Sequence, residues 1–130
     1  MNFEYRDFIG VFSDVFPEGF CEHLITEFDR NRTLGAGTDR QNGEDADKHI
    51  KNDYQINANG KNINFEPFND NNTTNMFFEG LQHCFEAYSN EFSVIKSIKI
   101  NCNNMKIQKT STGGGYHIWH AEQGNGDQAN

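Results

Sequence analysis

Apolar positions along the chain change period three times, and each change predicts an element. Phe8 to Phe12 is a short apolar stretch that predicts a strand. Ser13 and Asp14, with Pro17 just beyond, supply helix-start chemistry, and Phe20, Cys21, Leu24, Ile25 and Phe28 then recur at helical spacing. An amphipathic helix is predicted from Glu18 to about Arg30. A second stripe, Met76, Phe77, Leu81, Cys84, Phe85, Tyr88 and Phe92, predicts another helix, with its N-cap in Thr73-Thr74-Asn75. Both stripes read as core packing rather than as cofactor contacts. From Gly35 to Asn72 the chain is mainly Asn, Asp and Gly, so an exposed loop is predicted, broken by short strands at Asp53–Ile56 and Ile63–Phe65. Such a length of loop serves either as a lid or substrate-contacting segment or as a merely mobile connection. Beyond Ser93 the period falls to two: Ile98, Ile100 and Cys102 face one way, and Met105 and Ile107 continue in the opposite phase. A bulge or tight turn at Asn103-Asn104 absorbs the slip.

The last pattern is GGGYHIWHAE, from Gly113 to Glu122. The glycines give backbone freedom, including positive φ, to a tight connection. They do not make a phosphate loop, because no Lys-Ser/Thr follows and the next residues alternate like a strand. In an extended segment Tyr116, Ile118, His120 and Glu122 share one face, while His117, Trp119 and Ala121 share the other. His120 and Glu122 can then meet at one metal ion, and His117 is left as a structural hydrogen-bonding residue. The pair offers two corners of a facial site, and zinc, manganese and iron all accept such N/O ligands. The plain alternative is an exposed carboxylate beside a satisfied histidine.

Composition narrows the classes. The 130 residues fit one domain of typical size, about 100–150 residues. Eleven Lys and Arg stand against 19 Asp and Glu, a net charge of -8 that disfavours nucleic acid and anionic membranes as partners. No stretch approaches the roughly 18 apolar residues of a membrane helix. Cys21, Cys84 and Cys102 are odd in number and lack C-x-x-C spacing, so they read as reduced thiols packed as small hydrophobes. The start, MNFEYRDFIGVF, lacks the basic and long apolar regions of a signal peptide. A soluble protein of a reducing cytoplasm is expected, the host's if the protein is viral. Asn-x-Ser/Thr triplets at Asn31, Asn71 and Asn72 then read as chance matches.

The run MKIQKTSTGGGYHIWHAE resembles the iron-binding strand of the 2-oxoglutarate and Fe(II)-dependent oxygenases, in particular the prolyl 4-hydroxylase-like group with its phage versions. In that family a strand, a glycine-containing turn and an aromatic residue lead to an H-x-D/E pair. FIGVFSDVFPEGFCEHLITEFDR resembles the family's opening strand and helix, KNDYQIN the short segment after it, and NMFFEGLQHCFEAYSNEF the second supporting helix. The likeness thus extends unevenly over most of the chain, and only Gly113 to Glu122 is specific.

The resemblance implies an α+β fold. N-terminal supporting elements would occupy 1–96, and the first strands of a double-stranded β-helix, a jelly roll, would occupy 97–130 with the H-x-E motif. It implies His120 and Glu122 as iron ligands, with Glu in place of the commoner Asp, and Tyr116 at the co-substrate pocket. The tyrosine that relatives often carry before the turn is replaced here by Gln108-Lys109-Thr110. Fe(II) and the co-substrate 2-oxoglutarate are the implied cofactors, with ascorbate as a further one. The implied reaction is hydroxylation of an unactivated C–H bond in a peptide, protein or small molecule, a prolyl residue being the leading substrate, with release of succinate and CO2. The family's distal histidine and its Arg or Lys follow the pair, whereas His23, His49 and His83 precede it and no basic residue follows Glu122. The expectation is therefore an N-terminal part of an oxygenase, inactive alone. Two rival readings are a non-catalytic binding module, such as a viral accessory domain, and a cupin-like metal enzyme that does not use 2-oxoglutarate. Oligomeric state is not legible in the sequence.

Overall fold

Phe3 and Tyr5 alternate with Asn2, Glu4 and Arg6, and this period-two run forms a strand, β1 (Asn2–Arg6), antiparallel to β2 (Ile9–Ser13). The sequence reading caught only the second. Arg6 lies opposite Ile9, so the loop is Asp7-Phe8, and both residues have positive φ, at 46° and 67°. That is the geometry of a two-residue turn whose twist matches the strands. A bulky residue tolerates this φ poorly. Phe8 is held there by the Tyr88 hydroxyl, which donates to its carbonyl at 2.5 Å, and by Phe92, with ring centroids 5.2 Å apart.

The chain continues with α1 (Phe20–Thr33), β3 (Thr38–Asp39), β4 (Lys51–Asn52), β5 (Tyr54–Asn57), α2 (Thr73–Glu91), a 3-10 turn at Ser93–Ser97, β6 (Lys106–Lys109) and β7 (Gly115–Tyr116). This computed structural model describes residues 1–42, 47–102 and 104–119. They form a mixed α and β fold with two helices and small antiparallel sheets, β1-β2, β3-β5-β6 and β4-β7. Among the described residues no helix is long and apolar enough to cross a membrane. Two compact units result, Met1–Gly37 with Ile56–Ile107, and Thr38–Gln55 with the described residues from Gln108 on. They interleave along the chain.

In the first unit α1 begins at Phe20, two residues after the expected Glu18, and is not capped by Ser13-Asp14. Gly19 is the N-cap at φ 83° without a side-chain cap, and the Phe20 N–H donates to the Pro17 carbonyl. The buried face also differs from the apolar stripe. Phe20, Glu27, Phe28 and Asn31 are buried, whereas Cys21 and Ile25 are exposed. The cause is the segment 63–66, which includes the strand expected at Ile63–Phe65 and instead spends its backbone groups on α1 side chains. Asn31 donates to the Asn64 carbonyl and accepts from the Asn64 N–H, Glu27 accepts from the Glu66 N–H at 2.8 Å, and Arg30 donates to the Asn64 carbonyl. His23 Nε2 lies 3.0 Å from the Glu66 carbonyl and 2.9 Å from Thr73 Oγ1. Polar groups buried this way are satisfied, so the loop needs no strand partner.

Burial by itself raises the Glu27 carboxyl, but the hydrogen bonds from Arg30 and the Glu66 N–H, with the charges of Arg30 and His23, outweigh it. The carboxyl therefore lies below its ordinary value. A depressed carboxylate contributes stability that is fully present above the unfolded value, about 4.3, and lost as pH falls through the lower folded value. Glu27→Gln is expected to flatten the acid limb of Tm against pH. Identical acid limbs for the two proteins would contradict this.

Helix α2 is capped by Asn72, whose side chain accepts from the Asn75 N–H at 2.9 Å, one residue before the expected capping run. Gly80 sits mid-helix because the Phe16 ring lies against it: a Cβ would come within 2.4 Å of Phe16 Cε1. That ring is stacked on Phe20 at 4.8 Å and on Phe77 at 6.2 Å, so it has little room to yield. Gly80→Ala should gain about 1 kcal/mol of helix propensity and lose about 1–3 kcal/mol to overpacking. We expect a lower denaturation midpoint, and a raised one would show that the ring moves aside freely.

The alternating segment Ile98 to Cys102 is not a strand. Ile98 and Ile100 are 57% and 56% exposed, and the Ile98 N–H closes the 3-10 turn on Ile95 instead of meeting a sheet. Met105, 3% exposed, begins the buried phase, and β6 follows directly. The turn expected at Asn103-Asn104 falls partly outside the described residues. Cys21, Cys84 and Cys102 are unpaired thiols, as expected, but Cys21 and Cys102 are exposed and only Cys84 is half-buried. Burial raises the Cys84 thiol above its ordinary value.

Candidate functional site

The glycine turn belongs to the second unit, and each glycine there has its own reason. Gly113 and Gly115 have φ of 79° and 148°, a region that side chains disfavour. Gly114 closes the turn through its N–H to the Ser111 carbonyl, 2.8 Å, and faces the backbone of β4: a Cβ would lie 2.6 Å from the Asn52 carbonyl oxygen. The freedom expected of these residues is thus used at two positions, and a close approach at the third.

From this turn β7 pairs antiparallel with β4, Gly115 opposite Asn52 and Tyr116 opposite Lys51. The His117 N–H extends the pairing to the Ile50 carbonyl at 2.8 Å. His117 is therefore held through its backbone, and its side chain is exposed. The strand expected from Tyr116 to Glu122 is shorter among the described residues, which are no longer in a strand from His117 to Trp119. Tyr116 is 45% exposed and its ring lies 5.0 Å from Lys51 Nζ, within cation–π range. Trp119 is fully exposed. Tyr116, His117, Ile118 and Trp119 line an open recess of about 410 Å³.

Joined to Tyr116 through Lys51 is a polar cluster that the sequence reading did not single out. Asp53 is 1% exposed. Its Oδ1 accepts from Arg40 Nε at 2.7 Å; its Oδ2 accepts from Arg40 Nη2 at 3.2 Å and from Gln108 Nε2 at 2.5 Å, and lies 3.6 Å from Lys51 Nζ. Arg40 also donates to Gln55 Oε1. A buried carboxylate requires such pairing, and the bidentate guanidinium gives it direction. The signal was present: Lys51, Asp53 and Gln55 alternate at period two in KNDYQIN, a charged face on a segment read only for its apolar positions.

His120 and Glu122, the expected metal ligands, lie outside the described residues. Among the described residues no three His, Cys, Asp or Glu side chains converge as a metal site. His23 is engaged with Glu66 and Thr73, while His49 and His83 are exposed. Comparison with family models, curated proteins and solved structures finds no match to this chain. The family resemblance rests accordingly on the residues that carry it.

Proposed function

We propose that this chain carries part of the iron site of a 2-oxoglutarate-dependent oxygenase, with His120 and Glu122 as two of its metal ligands and β6 and β7 as the first strands of a double-stranded β-helix. The observation that supports the reading is the order strand, glycine turn and aromatic residue, formed by β6, Gly113-Gly114-Gly115 and Tyr116, ahead of the H-x-E pair. An imidazole and a carboxylate are the donor types such a site takes. Fe(II) with 2-oxoglutarate and oxygen supplies hydroxylation of an unactivated C–H bond, with release of succinate and CO2. The protein's share is placement. β4 fixes β7, Lys51 fixes the Tyr116 ring, and the exposed part of that ring forms a wall for the co-substrate. A prolyl residue in a peptide is the proposed substrate, on analogy with the family.

Calorimetric titration with Mn(II), a redox-silent substitute for Fe(II), tests the assignment. Binding by the 130-residue chain should be weakened strongly by His120→Ala and by Glu122→Ala, and tightened when 2-oxoglutarate is added as a co-chelator. Binding unchanged by both substitutions would remove the pair from the site.

A further inference from the structure

We propose that Asp53 and Lys51 are positioning residues that lock the two flanks of the glycine turn to one buried carboxylate and so fix the pairing of β7 with β4 as far as His117. Its consequence for metal binding rests on the reading that His120 and Glu122 are ligands.

Three successive glycines make an expensive segment to order, since each loses more backbone freedom on folding than any other residue. Something outside the turn must hold its ends. On the near side Gln108, in β6, donates to Asp53 Oδ2 at 2.5 Å. On the far side Tyr116 lies opposite Lys51 in the β4-β7 register and beneath its ammonium at 5.0 Å, while the same ammonium stands 3.6 Å from Asp53 Oδ2. Arg40 completes the anchorage by holding both carboxylate oxygens. One carboxylate oxygen thus meets both flanks, one directly and the other through Lys51. The Lys51 side chain is only 18% exposed, so solvent screens these contacts less than at an open surface.

A simple charge effect predicts the opposite consequence. A lysine that acted only through its field would repel a nearby cation, and its removal would tighten metal binding. A positioning lysine, once removed, loosens β7, which directly precedes the ligand pair in the chain, and binding weakens.

The test compares Lys51→Met, similar in length without the charge, with Lys51→Arg, which keeps the charge and the ring contact. Hydrogen exchange at the His117 N–H, which donates to Ile50, reads the course of β7 without any metal. The Ala58 N–H, which donates to the Met105 carbonyl, serves as the control for overall stability. In Lys51→Met, exchange at His117 should speed up on the order of tenfold relative to Ala58, and Mn(II) affinity should fall several-fold. Lys51→Arg should restore both. Unchanged His117 exchange in Lys51→Met would overturn the proposal whether or not metal binds. Tighter Mn(II) binding would overturn it too, by showing that Lys51 acts through charge alone. If Mn(II) binding proves independent of His120, the iron-site reading fails, and the exchange result still decides the positioning claim.

Discussion

Phe20→Ala is expected to lower stability by about 3–5 kcal/mol, the largest loss from any one core side chain. Phe20 is completely buried, stacks on Phe16 at 4.8 Å and meets Phe68 edge to face at 5.5 Å. It is also the first residue of α1, so the aromatic cluster anchors the start of the helix as well as the core. Truncation leaves a cavity beside the Phe16 ring, which is itself wedged against Gly80 and has little room to close over it. Phe20→Leu should cost much less, since it keeps most of the volume. Urea denaturation of the two variants checks this, and a loss below about 1 kcal/mol for Phe20→Ala would show that the rings repack.

Asp53→Ala is expected to cost about 3 kcal/mol, the lower end of the range for removing one partner of a buried ion pair. The substitution strands two cations, Arg40 and Lys51, whose side chains are 27% and 18% exposed. That residual exposure lets water recover part of the loss. Asp53→Asn should fall between wild type and Asp53→Ala, because the amide oxygen still accepts a hydrogen bond while the charge is gone. Thermal denaturation of the three proteins reads the order. Equal stability of Asp53→Ala and wild type would mean that the cluster contributes no net stability.

Elements with a long, single-period pattern were legible in the sequence. Both helices were found within a few residues, because Phe20 to Phe28 and Met76 to Phe92 repeat at helical spacing. The misreadings have common causes. Alternation at Ile98, Ile100 and Cys102 suggested a strand, but alternation only permits a strand, and among the described residues 98 to 102 are not in one. At 63–66 those bonds go to Glu27, Asn31 and Arg30, which a reading confined to apolar positions treats as a solvated face. Asp53 was missed because, Lys51 apart, its partners Arg40 and Gln108 come from distant segments. The glycines at 113 to 115 were read correctly as a turn, since their conformational demand is local and needs no knowledge of the partner strand.

The central claim is that His120 is a metal ligand, and the most direct measurement is pulsed electron paramagnetic resonance of the Mn(II)-loaded chain grown with ¹⁵N-histidine. Coupling to imidazole nitrogen, present in wild type and abolished in His120→Ala, is the result expected. Mn(II) bound without imidazole coupling, or with coupling that survives His120→Ala, would contradict the account.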